Sequence, residues 1–180
     1  MFYASNLEVD VGKQLPDHFE INTSASAVVT RLCELIFGSN RSVTTDGWFT
    51  SKELADTLLN EHKLLGTIGK NKKQLPPEFV EGRGRPVGSN MFGFQGNCTL
   101  LSYIPRKSKN VLLLSTMHDD DYIDKPIGKP EMICDYNQTK GGVKTVDKLC
   151  SSYNCARPTK SGPWWYSTFF QTLLQSMHSL

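Results

Sequence analysis

RSVTTDGWFTSKELADTLL, residues 41–59, is the stretch whose reading decides the fold. Val43, Thr44 and Thr45 are β-branched, which suits a short strand. Asp46-Gly47 then interrupts the run, because Gly frees the backbone and Asp tolerates tight turns. Thr50 or Ser51 supplies a helix cap, and Glu53 follows Thr50 by three residues, the spacing of a capping box. Leu54, Ala55 and Leu58 fall on one helical face. The unit is therefore strand, turn, helix, with the Asp46 carboxylate at the C-terminal end of a strand. Open α/β sheets gather their chemistry at that end. Two readings of Asp46 stand side by side: a site carboxylate, or a residue that only shapes the turn.

Outward from this unit the same alternation continues. Residues 6–13, NLEVDVGK, alternate Leu7, Val9 and Val11 with polar neighbours and predict a half-buried strand. Residues 24–37 predict an amphipathic helix with Val28, Leu32, Leu35 and Ile36 on its apolar face and Gly38 at its end. Residues 63–69, KLLGTIG, predict a short apolar strand. Strand, helix, strand, helix, strand implies an α/β sheet with helices on its faces. Trp48 is expected to pack in the core behind the strand end.

At Lys70 the texture changes. Residues 71–89 are rich in Lys, Arg, Pro and Gly and lack periodicity, as in a solvated loop. Short strands are expected at 92–94, 99–104 and 111–116, with turns at Gly96-Asn97 and at 105–109. Residues 71–130 thus predict a β-rich insertion between a first part, 1–70, and a last part, 131–180. HDDD at 118–121 is its acidic exit loop, expected to be solvated rather than cation-binding. Residues 145–153 and 164–180 predict helices; Trp164, Trp165, Phe169 and Phe170 mark the buried face of the second.

Length and composition exclude several classes. The 180 residues suffice for one domain with a sizeable core, and a formal charge of +2 permits a nucleic-acid partner without demanding one. The five cysteines, Cys33, Cys98, Cys134, Cys150 and Cys155, are odd in number and show no C-x-x-C spacing. That pattern argues against a disulfide framework or zinc knuckle and fits a reducing, intracellular compartment. No apolar run approaches the roughly 20 residues that span a bilayer, and the N-terminus does not read as a signal peptide. His62, His118 and His178 show no partner spacing.

One further stretch is specific. Residues 135–150, DYNQTKGGVKTVDKLC, place Gly141-Gly142 at a close turn before a helix that carries Asp147. With it, TDGWFTS (45–51), GTIGKNKKQLP (66–76), SNMFGF (89–94), TLLSYIPRKSKNVLLLST (99–116) and YNQTKGGVKTVDKLCSSY (136–153) occur in an order that resembles the piggyBac transposase family, including its transposon-derived members. The resemblance implies an RNase H-like mixed sheet with flanking helices, interrupted by the β-rich insertion. It also implies three carboxylates that hold two divalent metals, normally Mg²⁺, for cleavage and strand transfer at TTAA. Carried over by residue, Asp46 matches the second catalytic aspartate and Asp147 a further aspartate of the GGV motif. Lys144 stands where the third acid follows GGV. The first aspartate lies on a strand upstream of the region matched by 6–13. An ammonium cannot ligate Mg²⁺ and repels it, so Asp46 and Asp147 are expected to hold metal weakly or not at all.

Lys72, Lys73, Arg83, Arg85, Arg106, Lys107 and Lys109, with Lys70 beside them, are the candidate phosphate contacts. The expectation is a catalytic-domain remnant without cleavage activity. It would be nuclear by resemblance, bind DNA weakly and without sequence preference, have no membrane partner, and form the homodimer the family implies. The alternatives are a domesticated DNA- or protein-binding module and a degenerate fragment without a selected role.

Overall fold

The structure, a computed structural model, describes residues 6–8, 21–142 and 148. They belong, Lys148 apart, to a unit that ends at Gly142. Its centre is a five-stranded mixed sheet in the order β1-β2-β5-β4-β3. β1 (Ser42–Thr45) and β2 (Lys63–Thr67) run parallel, joined by α2 (Lys52–Leu58). β3 (Asn90–Gln95), β4 (Cys98–Arg106) and β5 (Lys109–Ser115) form an antiparallel meander, and β5 pairs antiparallel with the free edge of β2. The strands of the β-rich segment therefore continue the sheet begun by β1 and β2. A ribbon of β6 (Ile123–Asp124) and β7 (Lys129–Pro130) leads into α4 (Glu131–Thr139).

Alternation along the strands sorts the core into two layers, as side chains on a pleated strand point to opposite faces. Leu64, Leu112 and Leu114 face α1 (Ala25–Cys33), α2 and the short α3 (Pro77–Val80), with Val29, Cys33, Leu54, Ala55, Leu58 and Phe79. Leu65, Leu101 and Leu113 face α4 through Met132 and Ile133. Each fully buried leucine contributes roughly 1.5–3 kcal/mol of transfer free energy. No helix among the described residues is long and apolar enough to cross a membrane.

Several sequence expectations are corrected. The α1 face that buries is Val29 and Cys33; Val28 and Leu32 are half-buried and Leu35 is 71% exposed. The reason is the early end of the helix: a 3-10 turn at Glu34–Ile36 follows Cys33 and rotates Leu35 outward. Asn6–Glu8 form no strand. Instead the Asn6 side-chain amide donates to the carbonyls of Arg31 and Leu32, and Arg31 donates to Glu8. Most of the expected strand at 6–13 and the helices at 145–153 and 164–180 lie outside the described residues. The expected capping box is replaced by a simple cap: Ser51 Oγ accepts from Leu54 N at 3.0 Å, so Glu53 is one position short of the box. In the segment read as loop, Pro76-Pro77 starts α3, proline being well placed in a first helical turn. The turn read at 105–109 shrinks to Lys107 and Ser108, the latter at φ 61°, while Pro105 falls where the β4–β5 register shifts. Bulges tolerate proline because no ladder donor is lost there.

Cys33, Cys98 and Cys134 are free thiols. Burial pushes the Cys33 thiol up, and burial also raises Cys98 despite the opposing Lys52 ammonium beside it. Raised thiols carry little nucleophilic thiolate at neutral pH. Cys33 and Cys98 are therefore expected to resist iodoacetamide at pH 7.5 in the folded chain and to react fully in denaturant. Mass mapping of the alkylated peptides checks this, and rapid native labelling of either would contradict their burial.

Candidate functional site

The direction of each strand decides what gathers around Asp46. β1 and β2 are parallel, so Asp46, directly after β1, and the loop after β2 leave the same end of the sheet. β5 runs against β2, β4 against β5 and β3 against β4. The β4–β5 turn and the loop entering β3 consequently emerge at that end as well. Lys70, Lys72 and Lys73 follow β2, Arg83 and Arg85 precede β3, and Arg106, Lys107 and Lys109 form the β4–β5 tip. Asp46 and the basic loops thus share one end, spread over five strands about 4.8 Å apart. Glu78 and Glu81, on and just after α3, are interspersed among these loops.

Asp46 is exposed, and its carboxylate shapes the turn: Oδ1 accepts from Trp48 N at 3.0 Å and from Phe49 N at 3.4 Å. The turn-shaping reading is therefore realised in the geometry, and one carboxylate oxygen is committed to it. Beneath it, Thr50 is fully buried and donates to the Asp46 carbonyl at 2.7 Å, while Thr45 Oγ1 lies 2.7 Å from Thr50 Oγ1. The two threonines press against Gly66, where any side chain would collide with them. This hydroxyl pair escapes sequence reading, because Thr45 in a strand and Thr50 before a helix say nothing of whether their hydroxyls meet.

The basic residues differ in how free they are. Lys73, Arg83, Arg106, Lys107 and Lys109 are exposed, and Lys72 is half-buried. Arg85 is half-buried, and its guanidinium donates to Ser102 Oγ at 2.7 Å and to the Ser102 carbonyl at 3.1 Å. Ser102 in turn meets Asn110, whose amide donates to the carbonyls of Phe79 and Val80. This buried network pins α3 and the Arg83–Arg85 loop to β4 and β5.

Trp48, expected in the core, is 75% exposed beside Asp46. Phe49 takes the packing position instead, against the layer of α1 and α2. His118, read as partnerless, is buried between Ser115 and Asp135, with Nδ1 2.8 Å from Ser115 Oγ and Nε2 3.2 Å from Asp135 Oδ2. Ser-His-Asp invites a hydrolase reading. Ser115, however, has no exposed surface, and its hydroxyl oxygen accepts from Met117 N and His118 N. The trio is a polar tie from the end of β5 to α4. Asp119, Asp120 and Asp121 are exposed and leave the sheet at this opposite end, so they cannot serve Asp46. Among the described residues no group of three His, Cys, Asp or Glu could hold a metal ion. Lys144 and Asp147 lie outside the described residues.

Comparison with known proteins fits this arrangement. The family model described as Transposase IS4 matches residues 2–178. A cryo-EM structure of a piggyBac transposase synaptic complex with hairpin DNA superimposes with a TM-score of 0.73 at 39% sequence identity, over 86% of this chain. This chain spans 33% of the length of that transposase. The mixed sheet with flanking helices is accordingly the RNase H-like fold of DDE-type transposases. The chain belongs to the piggyBac-type transposases of the family described as Transposase IS4.

Proposed function

We propose that this chain is a piggyBac-type transposase domain that holds DNA through its phosphates and does not cut it. The observation that carries the reading is the convergence of Lys72, Lys73, Arg83, Arg106, Lys107 and Lys109 on the sheet end that bears Asp46. Side chains of this kind neutralise phosphates and release counterions without reading sequence. Arg85 is better suited to holding the loop than to meeting DNA, given its bonds to Ser102. In this reading the β3–β5 meander, which continues the sheet begun by β1 and β2, supplies the DNA-facing tip. A nuclear location and a dimeric assembly are part of this proposal; the hairpin DNA in the solved relative's synaptic complex supports its DNA-binding part.

DDE-type transposases use divalent metal held by acids. The described residues do not fit that group: Asp46 has one oxygen in its turn, and no three-ligand cluster accompanies it. In the sequence, Lys144 occupies the position after GGV and brings a positive charge where an acid would neutralise metal. No step through a metal is therefore derived.

The test has two arms. Duplex DNA should bind at low salt and weaken steeply as salt rises, and changing Arg106, Lys107 and Lys109 together to Ala should flatten the log–log salt slope by about 2–3. Binding that ignores salt, or no binding at low salt, would refute the phosphate reading and favour a degenerate fragment. In the second arm, a TTAA-containing transposon-end duplex incubated with Mg²⁺ or Mn²⁺ should stay intact. Nicking that Asp46→Ala abolishes would sink the non-cleaving reading.

A further inference from the structure

Trp48 is the most exposed large apolar side chain among the described residues, at 75%. Single exposed apolar residues are ordinary, so exposure alone carries nothing. Its setting is less ordinary. The Trp48 backbone is fixed, since its N–H donates to Asp46 Oδ1 at 3.0 Å and Phe49 beside it is anchored in the core layer. The turn also packs on the loop after β2: a methyl at Gly69 would sit 3.4 Å from the Gly47 carbonyl oxygen. Lys70 follows Gly69 directly, and Lys72 and Lys73 stand two and three residues beyond it. A bare indole on a hydrogen-bonded backbone thus sits at the basic end of the sheet beside a lysine-rich loop.

We propose that Trp48 is a stacking platform for an unpaired nucleobase, delivered by a strand whose phosphates the basic loops hold. The inference rests on the DNA-binding reading above and adds the form of DNA it concerns. Charge complementarity selects the occupant, because a polyanion with an aromatic face satisfies the ammonium groups and the indole together. Paired bases inside a duplex offer no free π-face, whereas single strands and opened ends do. Because the turn backbone is already held, only the two side-chain torsions of Trp48 need ordering on binding.

The experiment measures anisotropy of labelled oligo(dT) and of a long labelled duplex with the full chain, at about 50 mM and about 200 mM salt. Trp48→Ala should weaken oligo(dT) binding on the order of ten-fold and leave duplex binding and the salt slopes unchanged, with Trp48→Phe close to wild type. The Arg106, Lys107, Lys109 triple substitution should weaken both ligands. In a chain with Trp164 and Trp165 changed to Phe, Trp48 is the remaining one of 3 tryptophans, and oligo(dT) should quench its emission. Equal melting temperatures of wild type and Trp48→Ala check that the fold is intact. If Trp48→Ala binds both ligands like wild type while the triple substitution weakens them, stacking is overturned and the phosphate reading stands. If neither ligand binds at low salt, both readings fall together.

Discussion

Gly66→Ala is expected to lower the stability of the chain by about 3–5 kcal/mol, the largest effect of a single methyl that the structure supports. Gly66 pairs with Thr45 across the parallel β1–β2 ladder. A Cβ there would lie 2.5 Å from Thr45 Oγ1, 2.8 Å from the Thr45 carbonyl oxygen and closer still to Thr50 Oγ1. Neither hydroxyl can swing away freely, because Thr50 donates to the Asp46 carbonyl and is wholly buried. Relief requires β1 and β2 to part, or both hydroxyls to lose their partners in a dry interior, and each lost partner costs about 1–3 kcal/mol. For a chain of this size the melting temperature should fall by roughly 10 °C. Gly47→Ala provides the control: its nearest neighbour would be Thr67 Oγ1 at 3.6 Å, ordinary contact, so its cost should stay below about 1 kcal/mol. Adding Thr50→Ala to Gly66→Ala should recover part of the loss, a coupling that a double-mutant cycle reads directly. Equal melting temperatures for Gly66→Ala and Gly47→Ala would refute the close approach.

Asn110→Ala is expected to cost about 2–3 kcal/mol and to loosen the basic loop. Asn110 is 8% exposed, and its amide donates to the Phe79 carbonyl at 2.8 Å and the Val80 carbonyl at 3.1 Å. Alanine leaves the Val80 carbonyl short of that donor and removes an acceptor from Ser102, whose hydroxyl also meets Phe79 and Arg85. The α3 segment and the loop through Arg85 would then lose part of their hold on β4 and β5. Backbone amides of residues 79–85 should exchange faster, beyond the global change, while those of β1 and α2 follow global stability alone. Uniform acceleration across the sheet would show that the network does not act locally.

Some of this was legible in residue order alone. β-branched residues at 43–45, a Gly break and a 3.6-residue apolar period suffice to define β1, the turn and α2, because those preferences are local. The Gly96-Asn97 turn was readable for the same reason, since φ at Gly96 is 57°. The motifs at 45–51 and 136–153 were enough for the family and hence for the mixed α/β class, which the sheet and its flanking helices share.

Other features needed the folded chain. Leu35 faces solvent because α1 ends at Cys33 and a 3-10 turn follows, a cooperative choice that periodicity cannot report. Trp48 points outward and Phe49 takes the core position because the Asp46 carboxylate fixes the turn and so decides which ring points inward. His118 finds Ser115 and Asp135 only once α4 lies on the sheet, and Asp135 is 17 residues away in sequence. The basic loops lie 24 to 63 residues beyond Asp46 in the chain, yet strand direction brings them all to its end of the sheet. Sequence by itself determined β1, its turn, α2 and the positions of charge, because those are properties of neighbours along the chain; α3 and α4 emerged only in the folded chain. The pairing of β5 with the free edge of β2 decided which charges meet, because antiparallel register is a property of strands in contact.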